Sequence, residues 1–303
     1  MLAPVVVFSY NRPDHLRRTL DALAKNDLAS ESVLYVYCDG PKPDATEEQR
    51  QRIAANREVA RATEGFKEMH VVERELNVGL KDNIVGAVTE IVNQYGRVIT
   101  LEDDVVSSVG FLRFMNEALE MYAEEEKVMH VSAYMYPHKR RLPSTFFYFV
   151  PYPGGGWATW QRAWNHYNDN AQELYDCWKG NWEEFDVVGG DYLSTQLKKN
   201  REGTMCTWFV KWYAVMRKEG ALSLFPGHSL TNNIGFDDMA TNCYATSKFD
   251  VIPADYVAVE RIPLEINKKA SRLIYDFYQG HWYNKRRRKA LLKSIKNSLL
   301  FWK

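Results

Sequence analysis

Cysteine is scarce in this chain of 303 residues: Cys38, Cys177, Cys206 and Cys243 lie far apart, and none belongs to a CxxC pair. This spacing favours reduced thiols in a cytosolic protein. Long apolar runs are also missing, since no stretch approaches the roughly 20 residues that a membrane-spanning helix needs. The apolar run near the N-terminus has no basic leader and passes directly into polar residues, so we expect a β-strand there rather than a signal peptide.

Several catalytic signatures are absent. The sequence has no GxxxxGKS or GxxxxGKT loop to hold a triphosphate, and no GxGxxG fingerprint for a dinucleotide. It has neither the GxSxG turn of α/β-hydrolases nor an HExxH zinc motif. The 39 basic and 39 acidic residues cancel, so net charge indicates no class of partner, and a content of 46% apolar and 26% charged residues is typical of a globular protein.

The first 105 residues alternate between strand and helix patterns. β-Rich runs at 4–10, 32–40, 69–75 and 97–101 are separated by helical patterns, the last of which stops at Gly96. Asp44 and Glu47 are spaced as the capping box of the second helix. This order predicts an α/β fold with a mostly parallel central sheet and flanking crossover helices.

From residue 106 onward the pattern is mixed. Strands are expected at 128–134 and 145–152, with helices around them. The segment GGGWATWQRAW, residues 154–164, is predicted to be a glycine hinge that enters an aromatic helix. Because no linker or repeat separates the two halves, we expect the mixed C-terminal half to complete the same domain.

Polar side chains follow three of the predicted strands. Ser9, Asn11 and Arg12 come after the first strand, Asp39 ends the second, and the acids of residues 102–104 end the fourth. Ligands of open parallel sheets bind beyond the carboxyl ends of the strands. The sequence therefore predicts a ligand site at this edge.

The acids Glu102, Asp103 and Asp104 lie in the segment RVITLEDDVVSS. Because side chains alternate faces along a strand, the first and third acid can converge where the strand turns into a loop. Such oxygen ligands suit Mg²⁺ or Mn²⁺, which binds through one or two carboxylates and substrate phosphates. The alternative is an exposed acidic turn. In a chain without a P-loop, a metal–diphosphate site points to nucleotide-sugar transfer.

Five segments resemble a known family: VVVFSYNRPDHLRRTLDAL, YVYCDG, NVGLKDNIVGAVTEIVNQYGRVITLEDDV, GGGWATWQRAW and SLFPGHSLTNNIGFDD. Together, over residues 3–240, they are similar to bacterial glycosyltransferases of the GT-A fold, of the family 2 kind. The EDD strand and the later GW segment also resemble the Golgi N-acetylglucosaminyltransferase I type. The resemblance implies a GT-A fold, a nucleotide-diphosphate sugar donor (a UDP-sugar is favoured), Mn²⁺ or Mg²⁺, and a glycan or lipid-linked acceptor in surface-polysaccharide synthesis.

The resemblance also implies roles for single residues. Asp104 would be the direct metal ligand, Asp103 would face the ribose or the donor sugar, and Glu102 would support the sugar or the waters of the metal. Asp39 would hydrogen-bond the nucleobase. The remaining nucleotide contacts would come from Ser9, Tyr10, Asn11, Arg12, Lys81 and Asp82.

Each of these roles has a structural alternative. Asp39 could make an Asx-turn, Arg12 could be a solvated residue at a helix start, and Lys81 with Asp82 could favour the first turn of their helix. Trp157 and Trp160 could stack on sugar rings or pack in the core.

An inverting transfer, which we expect, needs a carboxylate base against the acceptor hydroxyl. The Golgi enzymes carry that base beside tryptophan, but the corresponding segment here, TWFVKWYAVM, has no carboxylate. Asp191, after a Gly-Gly pair, is the first candidate, and Asp237 with Asp238 is the second. For each, a helix cap or surface turn is the alternative. His228 is a candidate additional metal ligand or, alternatively, a surface residue.

The expected organisation has three parts. Residues 1–105 form a nucleotide-sugar-binding, Rossmann-like half, residues 106–275 the acceptor side of the same domain, and residues 276–303 a basic amphipathic tail. No acid follows Asp276, while Lys and Arg recur to the end. Such a tail fits an anionic membrane surface better than nucleic acid, so we expect a cytoplasmic protein peripheral on the inner face of the plasma membrane. A helix packed on the domain is the alternative.

Two rival functions remain. A sugar-nucleotide nucleotidyltransferase should carry a glycine-rich basic loop after the first strand, and FSYNRPDH has none. A non-catalytic sugar- or metal-binding module would bind nucleotides weakly with or without Mn²⁺.

Overall fold

A computed structural model describes residues 1–236 and 246–280. The strands are β1 Val5–Ser9, β2 Val33–Cys38, β3 Glu68–Glu73, β4 Arg97–Glu102, β5 Val105–Ser107, β6 Val128–Ser132, β7 Thr145–Tyr148, β8 Trp157–Trp160, β9 Leu222–Pro226 and β10 Thr231–Asn233. The α-helices are α1 Pro13–Ala24, α2 Glu47–Arg61, α3 Leu80–Tyr95, α4 Phe111–Met121, α5 Gln161–Trp164, α6 Ala171–Trp178, α7 Trp182–Phe185, α8 Tyr192–Arg201 and α9 Phe209–Lys218. A further helical stretch covers residues 268–280.

The main sheet has eight strands in the order β3-β2-β1-β4-β8-β6-β9-β7. Strands β3, β2, β1 and β4 are mutually parallel. Strand β8 is antiparallel to both β4 and β6, so β6 runs in the same direction as β4, and β9 is parallel to β6. Among the described strands of this sheet, only β8 and the edge strand β7 run the other way, and β5 pairs with β10 in a separate two-stranded sheet. The predicted α/β class, with a mostly parallel sheet, flanking helices and a mixed C-terminal half, is confirmed.

The side chains of β1 alternate between two apolar layers, as expected for a strand that is covered on both faces. Val5 and Val7 pack with α1 and α4, whereas Val6 and Phe8 pack with α3. Most of the buried aromatic residues of the C-terminal half join the α3 layer. Because helices cover both faces of the sheet, polar side chains can gather at the ends of its strands.

The start of α2 differs from the sequence prediction. Thr46, not Asp44, is the N-cap: its hydroxyl accepts from the backbone N–H of Gln49, 3.2 Å away, and the Gln49 side chain accepts from the Thr46 N–H. The helix begins at Glu47, so the box is shifted two residues along the chain. At the end of α3 the prediction is confirmed, since Gly96 is left-handed with φ 76°.

The segment after the three glycines is also corrected. Residues Trp157–Trp160 form strand β8 in the middle of the sheet, and the helix that follows has only four residues. Trp157 and Trp160 are both buried, on opposite faces of the sheet. The strand pairs with β4, about 60 positions away along the chain, and local sequence patterns do not report such pairing.

His130 on β6 is fully buried, and this leads to a testable pH dependence. Its Nδ1 accepts from Nε1 of Trp212 at 3.3 Å, and its ring stacks on Trp157. Burial lowers the pKa of His130 to about 3. The unfolded chain takes up a proton below about pH 6.5 and the folded protein does not, so this contribution to the free energy of unfolding is complete above 6.5 and falls as the pH drops toward 3.

Between about pH 6.5 and pH 3, we expect His130 to lower the free energy of unfolding of wild type by roughly 1.4 kcal/mol for each unit that the pH falls. This pH dependence is measured by urea unfolding of wild type and of His130→Asn at several pH values. Asn keeps an acceptor for Trp212 but does not titrate, so the difference between the two proteins should narrow as the pH falls. Parallel profiles would contradict the assignment.

Candidate active site

Strand register brings Arg12 to the acids. β1 and β4 are neighbouring parallel strands with Phe8 opposite Glu102, so the residues that follow both strands emerge at the same edge. Pro13 opens α1 directly after Arg12. Asp103 and Asp104 occupy the turn between β4 and β5.

Arg12 bridges the two aspartates. Its Nη2 donates to Oδ2 of Asp104 at 2.8 Å and to Oδ1 of Asp103. The three side chains are 15%, 11% and 5% exposed for Arg12, Asp104 and Asp103, so the ion pairs are largely out of solvent. The two aspartates are therefore buried against one shared cation, and the alternative of an exposed acidic turn is excluded. We call Arg12, Asp103 and Asp104 the acidic corner.

The acidic corner shifts the pKa values around it. Burial, with the charges of Asp104 and Asp103, raises the pKa of Glu102 to about 8. Burial also raises the pKa of Asp103 to about 7, although the Arg12 charge opposes the shift. Burial alone would lower the pKa of Arg12, but the two carboxylates raise it above its usual value. Arg12 is thus a permanent cation held among carboxylates that repel one another.

A segment more than 120 residues away completes the corner. β10 pairs antiparallel with β5, placing Asn233 opposite Val105. Asn233 Nδ2 donates to Oδ1 of Asp104 at 3.1 Å and to the carbonyl of Gly154 at 2.8 Å. A Cβ atom on Gly235 would overlap Oδ2 of Asp104, so the backbone there approaches the carboxylate as only glycine allows. Sequence reasoning assigned no role to Asn233 or Gly235.

The carboxylate oxygens of the acidic corner are the kind of ligand that a divalent cation such as Mg²⁺ or Mn²⁺ prefers. Two carboxylate oxygens from Asp103 and Asp104 converge on one nitrogen of Arg12, which stands where a cation would sit. No set of three or more His, Cys, Asp or Glu residues converges on a point in the described part of the chain. Mg²⁺ or Mn²⁺ at this corner would accordingly rely on Asp103, Asp104, water and a substrate diphosphate, as magnesium sites commonly do.

Asp39 closes a loop in this structure. Its carboxylate accepts from the backbone N–H groups of Gly40, Val78 and Gly79 at 2.8 to 3.0 Å, and from Nδ2 of Asn77 at 2.9 Å. It is buried at the end of β2. The carboxylate thus shapes the loop before α3, and its role toward a nucleobase stays a prediction.

The residues at the end of β1 and just after it differ in burial. Ser9 is buried, and its hydroxyl accepts from Nδ2 of Asn56 at 2.8 Å. Tyr10 is half-buried, and burial together with the Asp39 charge raises its pKa. Asn11 is half-buried between Tyr10 and Arg12.

Lys81 and Asp82 belong to an ion network at the start of α3. Lys81 Nζ contacts the carboxylates of Asp82, at 2.5 Å, and Asp169, at 2.7 Å. Asp169 also forms an ion pair with Nζ of the buried Lys211, at 2.8 Å. Burial would raise the pKa of Asp169, but its bonds to Lys211 and Lys81 lower it, which makes Asp169 a weak proton acceptor. Neither Asp169 nor Lys211 was singled out from the sequence.

The remaining predicted residues are not joined to the acidic corner by any contact among the described residues. Asp191 is exposed at the start of α8, whose N–H groups at Leu193 and Ser194 are capped by Asp186 instead. His228 is exposed and stacks on His138 with ring centroids 5.4 Å apart. Asp237 and Asp238 lie outside the described residues. Trp157 and Trp160 pack in the core, so sugar stacking by them is not supported.

Comparisons with known proteins give distant likenesses. No protein-family model matches the chain, and no curated protein matches it. A structure of S. aureus TarS 1–349 is 14% identical with a TM-score of 0.40, covering 78% of this chain and 61% of that one. Mouse xyloside xylosyltransferase 1 is 12% identical with a TM-score of 0.38, covering 76% and 85%. An active-site mutant of LgtC is 14% identical with a TM-score of 0.35, covering 58% and 65%.

The chain is also shorter than the first of these proteins. A longer TarS structure is matched over 24% of its length, at 19% identity and a TM-score of 0.30. At these scores the likenesses carry no conclusion about activity, substrate or mechanism. The function must therefore be inferred from the chemistry of the site itself.

Proposed function

We propose that the chain is a glycosyltransferase of the GT-A type that moves a sugar from a nucleotide-diphosphate donor, with a UDP-sugar favoured, to a glycan or lipid-linked acceptor. The observation that carries the proposal is the convergence of two buried carboxylates, Asp103 and Asp104, on one cationic nitrogen at the carboxyl edge of the sheet. Surface-polysaccharide synthesis at the inner face of the plasma membrane is the setting we propose. A relation to the N-acetylglucosaminyltransferase I type belongs to the same proposal.

The donor diphosphate would lie over the acidic corner. A Mn²⁺ or Mg²⁺ ion held by Asp103 and Asp104 would stabilise the negative charge that builds on the departing diphosphate. With the metal on those carboxylates in place of Nη2, the guanidinium of Arg12 would be able to donate to phosphate oxygens. Lys81, at the start of α3, adds a second cation at this edge of the sheet.

The acceptor hydroxyl needs a base for an inverting transfer. Asp169 is a poor choice because its bonds to Lys211 and Lys81 lower its pKa and make it a weak proton acceptor. We therefore retain Asp191 as the first candidate and Asp237 with Asp238 as the second. His228 stays a candidate additional metal ligand.

Thermal unfolding with UDP-, GDP-, CMP- and dTDP-sugars, each with Mn²⁺ and with EDTA, tests this function. We expect one nucleotide to raise the unfolding temperature in Mn²⁺, because a ligand that binds only the folded state stabilises it. The gain should vanish with EDTA and in Asp104→Asn. Asp21→Asn, which alters an exposed acid of α1 that has no role in the proposed site, serves as the control and should retain the gain. A flat response across the panel would overturn the proposal.

A further inference from the structure

One side of the molecule carries cations that the proposed donor site does not use. We define the basic edge as residues 137–144 and 265–280. It contains six basic residues, all of them exposed: Lys139, Arg140, Arg141, Lys268, Lys269 and Arg272. The two segments contain two acids, Glu265 and Asp276, so six minus two leaves a formal charge of +4.

The two segments of the basic edge are in contact. Lys269 Nζ donates to the carbonyl of Arg141 at 2.7 Å. The backbone N–H of Asn267 donates to the carbonyl of Phe147 on the edge strand β7 at 3.0 Å. Asp276 forms an ion pair with Arg272 at 2.9 Å. The cations therefore form one surface beside the end of the sheet.

Aromatic side chains lie among these cations. A groove of about 360 Å³ is lined by Tyr148, Phe149 and Tyr275 together with Lys268 and Arg272. Tyr275 is exposed. Tyrosine beside lysine and arginine is the combination that suits the interface between lipid headgroups and acyl chains, because each side chain has an apolar body and a polar end.

We propose that the basic edge is a docking surface for an anionic lipid bilayer. Its charge complements an anionic leaflet, and the sequence that follows it, residues 281–303, adds eight Lys and Arg residues and no acid, together with Leu, Ile, Phe and Trp. The surface was not foreseen from the sequence, which pointed to the tail alone.

The position of the basic edge relates it to the proposed chemistry. Residues 137–144 connect the carboxyl end of β6 to β7, and β6 runs in the same direction as β4, which ends in the acidic corner. A bilayer against residues 137–144 would therefore lie toward the same end of the strands as the acidic corner. A lipid-linked acceptor could then reach that site without leaving the membrane.

Co-sedimentation of the full chain with vesicles tests this inference. We compare phosphatidylcholine vesicles with vesicles that contain about a third phosphatidylglycerol, in about 0.1 M salt, where electrostatic attraction acts over about 10 Å. We expect binding to the anionic vesicles only. The variant K139Q/R140Q/R141Q should lower the partition coefficient by on the order of tenfold to a hundredfold, since each cation near an anionic leaflet contributes about fivefold.

The matched control is R17Q/R18Q/K25Q, which removes three exposed cations around α1. It should bind the anionic vesicles as wild type does. A second variant, K268Q/K269Q, changes the other segment of the basic edge and should also weaken binding to anionic vesicles. Thermal unfolding checks that each variant is folded. Donor binding is measured separately, so a flat nucleotide panel would leave the membrane result intact.

Three outcomes would overturn the inference. Wild type does not bind anionic vesicles; both basic-edge variants bind as tightly as wild type; or duplex DNA binds more tightly than vesicles at the same salt concentration. The last result would assign the basic edge to nucleic acid.

Discussion

Replacing Arg12 by glutamine is expected to lower the free energy of unfolding by about 3–5 kcal/mol. Removing one partner of a buried ion pair leaves the other charge without compensation at that cost. Here two carboxylates, those of Asp103 and Asp104, lose the same partner, and they lie beside Glu102. Urea unfolding at neutral pH in EDTA measures the effect. A loss below about 1 kcal/mol would mean that the ion pairs are not formed in the folded protein.

Arg61→Gln is the matched control. Arg61 also pairs with a carboxylate, that of Glu73 at 2.6 Å, but its side chain is 56% exposed. Exposed pairs contribute little because solvent screens the charges and holding two long side chains costs entropy. The expected loss is under about 1 kcal/mol, so the contrast between the two arginines isolates burial from charge removal.

The same variant tests whether the acidic corner can hold a metal. In wild type, Mn²⁺ bound at the acidic corner would compete with the Arg12 guanidinium for the carboxylate oxygens of Asp103 and Asp104. In Arg12→Gln that competition is gone. Millimolar Mn²⁺ should therefore raise the unfolding midpoint of the variant by more than that of wild type. Equal shifts would indicate that the metal binds elsewhere.

Much of the fold could be predicted from the sequence, because the first 105 residues repeat a local pattern. Apolar periodicity marks β1 to β4 and the helices between them, and parallel strands necessarily end at one edge. That rule alone places Arg12 and the three acids at the same edge of the sheet. Gly96 was predictable for a similar reason, since a helix that stops in the left-handed conformation favours glycine.

The errors arose where a local pattern allowed two answers or where the decisive contact was distant. Both Asp44 with Glu47 and Thr46 with Gln49 have capping-box spacing, and only the second fits the start of α2. Strand β8 is defined by pairing with β4 and β6, which a reading of WATW by itself does not reveal. Asn233 reaches Asp104 across 129 positions. Such contacts depend on the tertiary fold, and they decide how the site is closed.

Replacing Gly235 by alanine is expected to lower nucleotide affinity by on the order of tenfold to a hundredfold, the usual effect of disturbing a partner that orients a metal ligand. The added methyl group would overlap Oδ2 of Asp104, the same oxygen that accepts from Arg12 at 2.8 Å. Asp104 must turn away, or the backbone at residue 235 must withdraw and release Asn233. Either movement opens the corner on which the donor would bind. Overpacking of this kind also costs roughly 1–3 kcal/mol of stability.

Gly86→Ala provides the control for this experiment, because a Cβ atom at Gly86 meets no other group within 4 Å and the residue is exposed on α3. That change should leave nucleotide affinity intact and stabilise the helix slightly, since alanine is the better helix former by about 1 kcal/mol. Calorimetric titration with the favoured nucleotide in Mn²⁺ measures the nucleotide affinity of both variants and of wild type. If Gly235→Ala were to bind the nucleotide as tightly as Gly86→Ala does, the orientation of Asp104 could not govern donor binding, and the acidic corner would have a structural role instead.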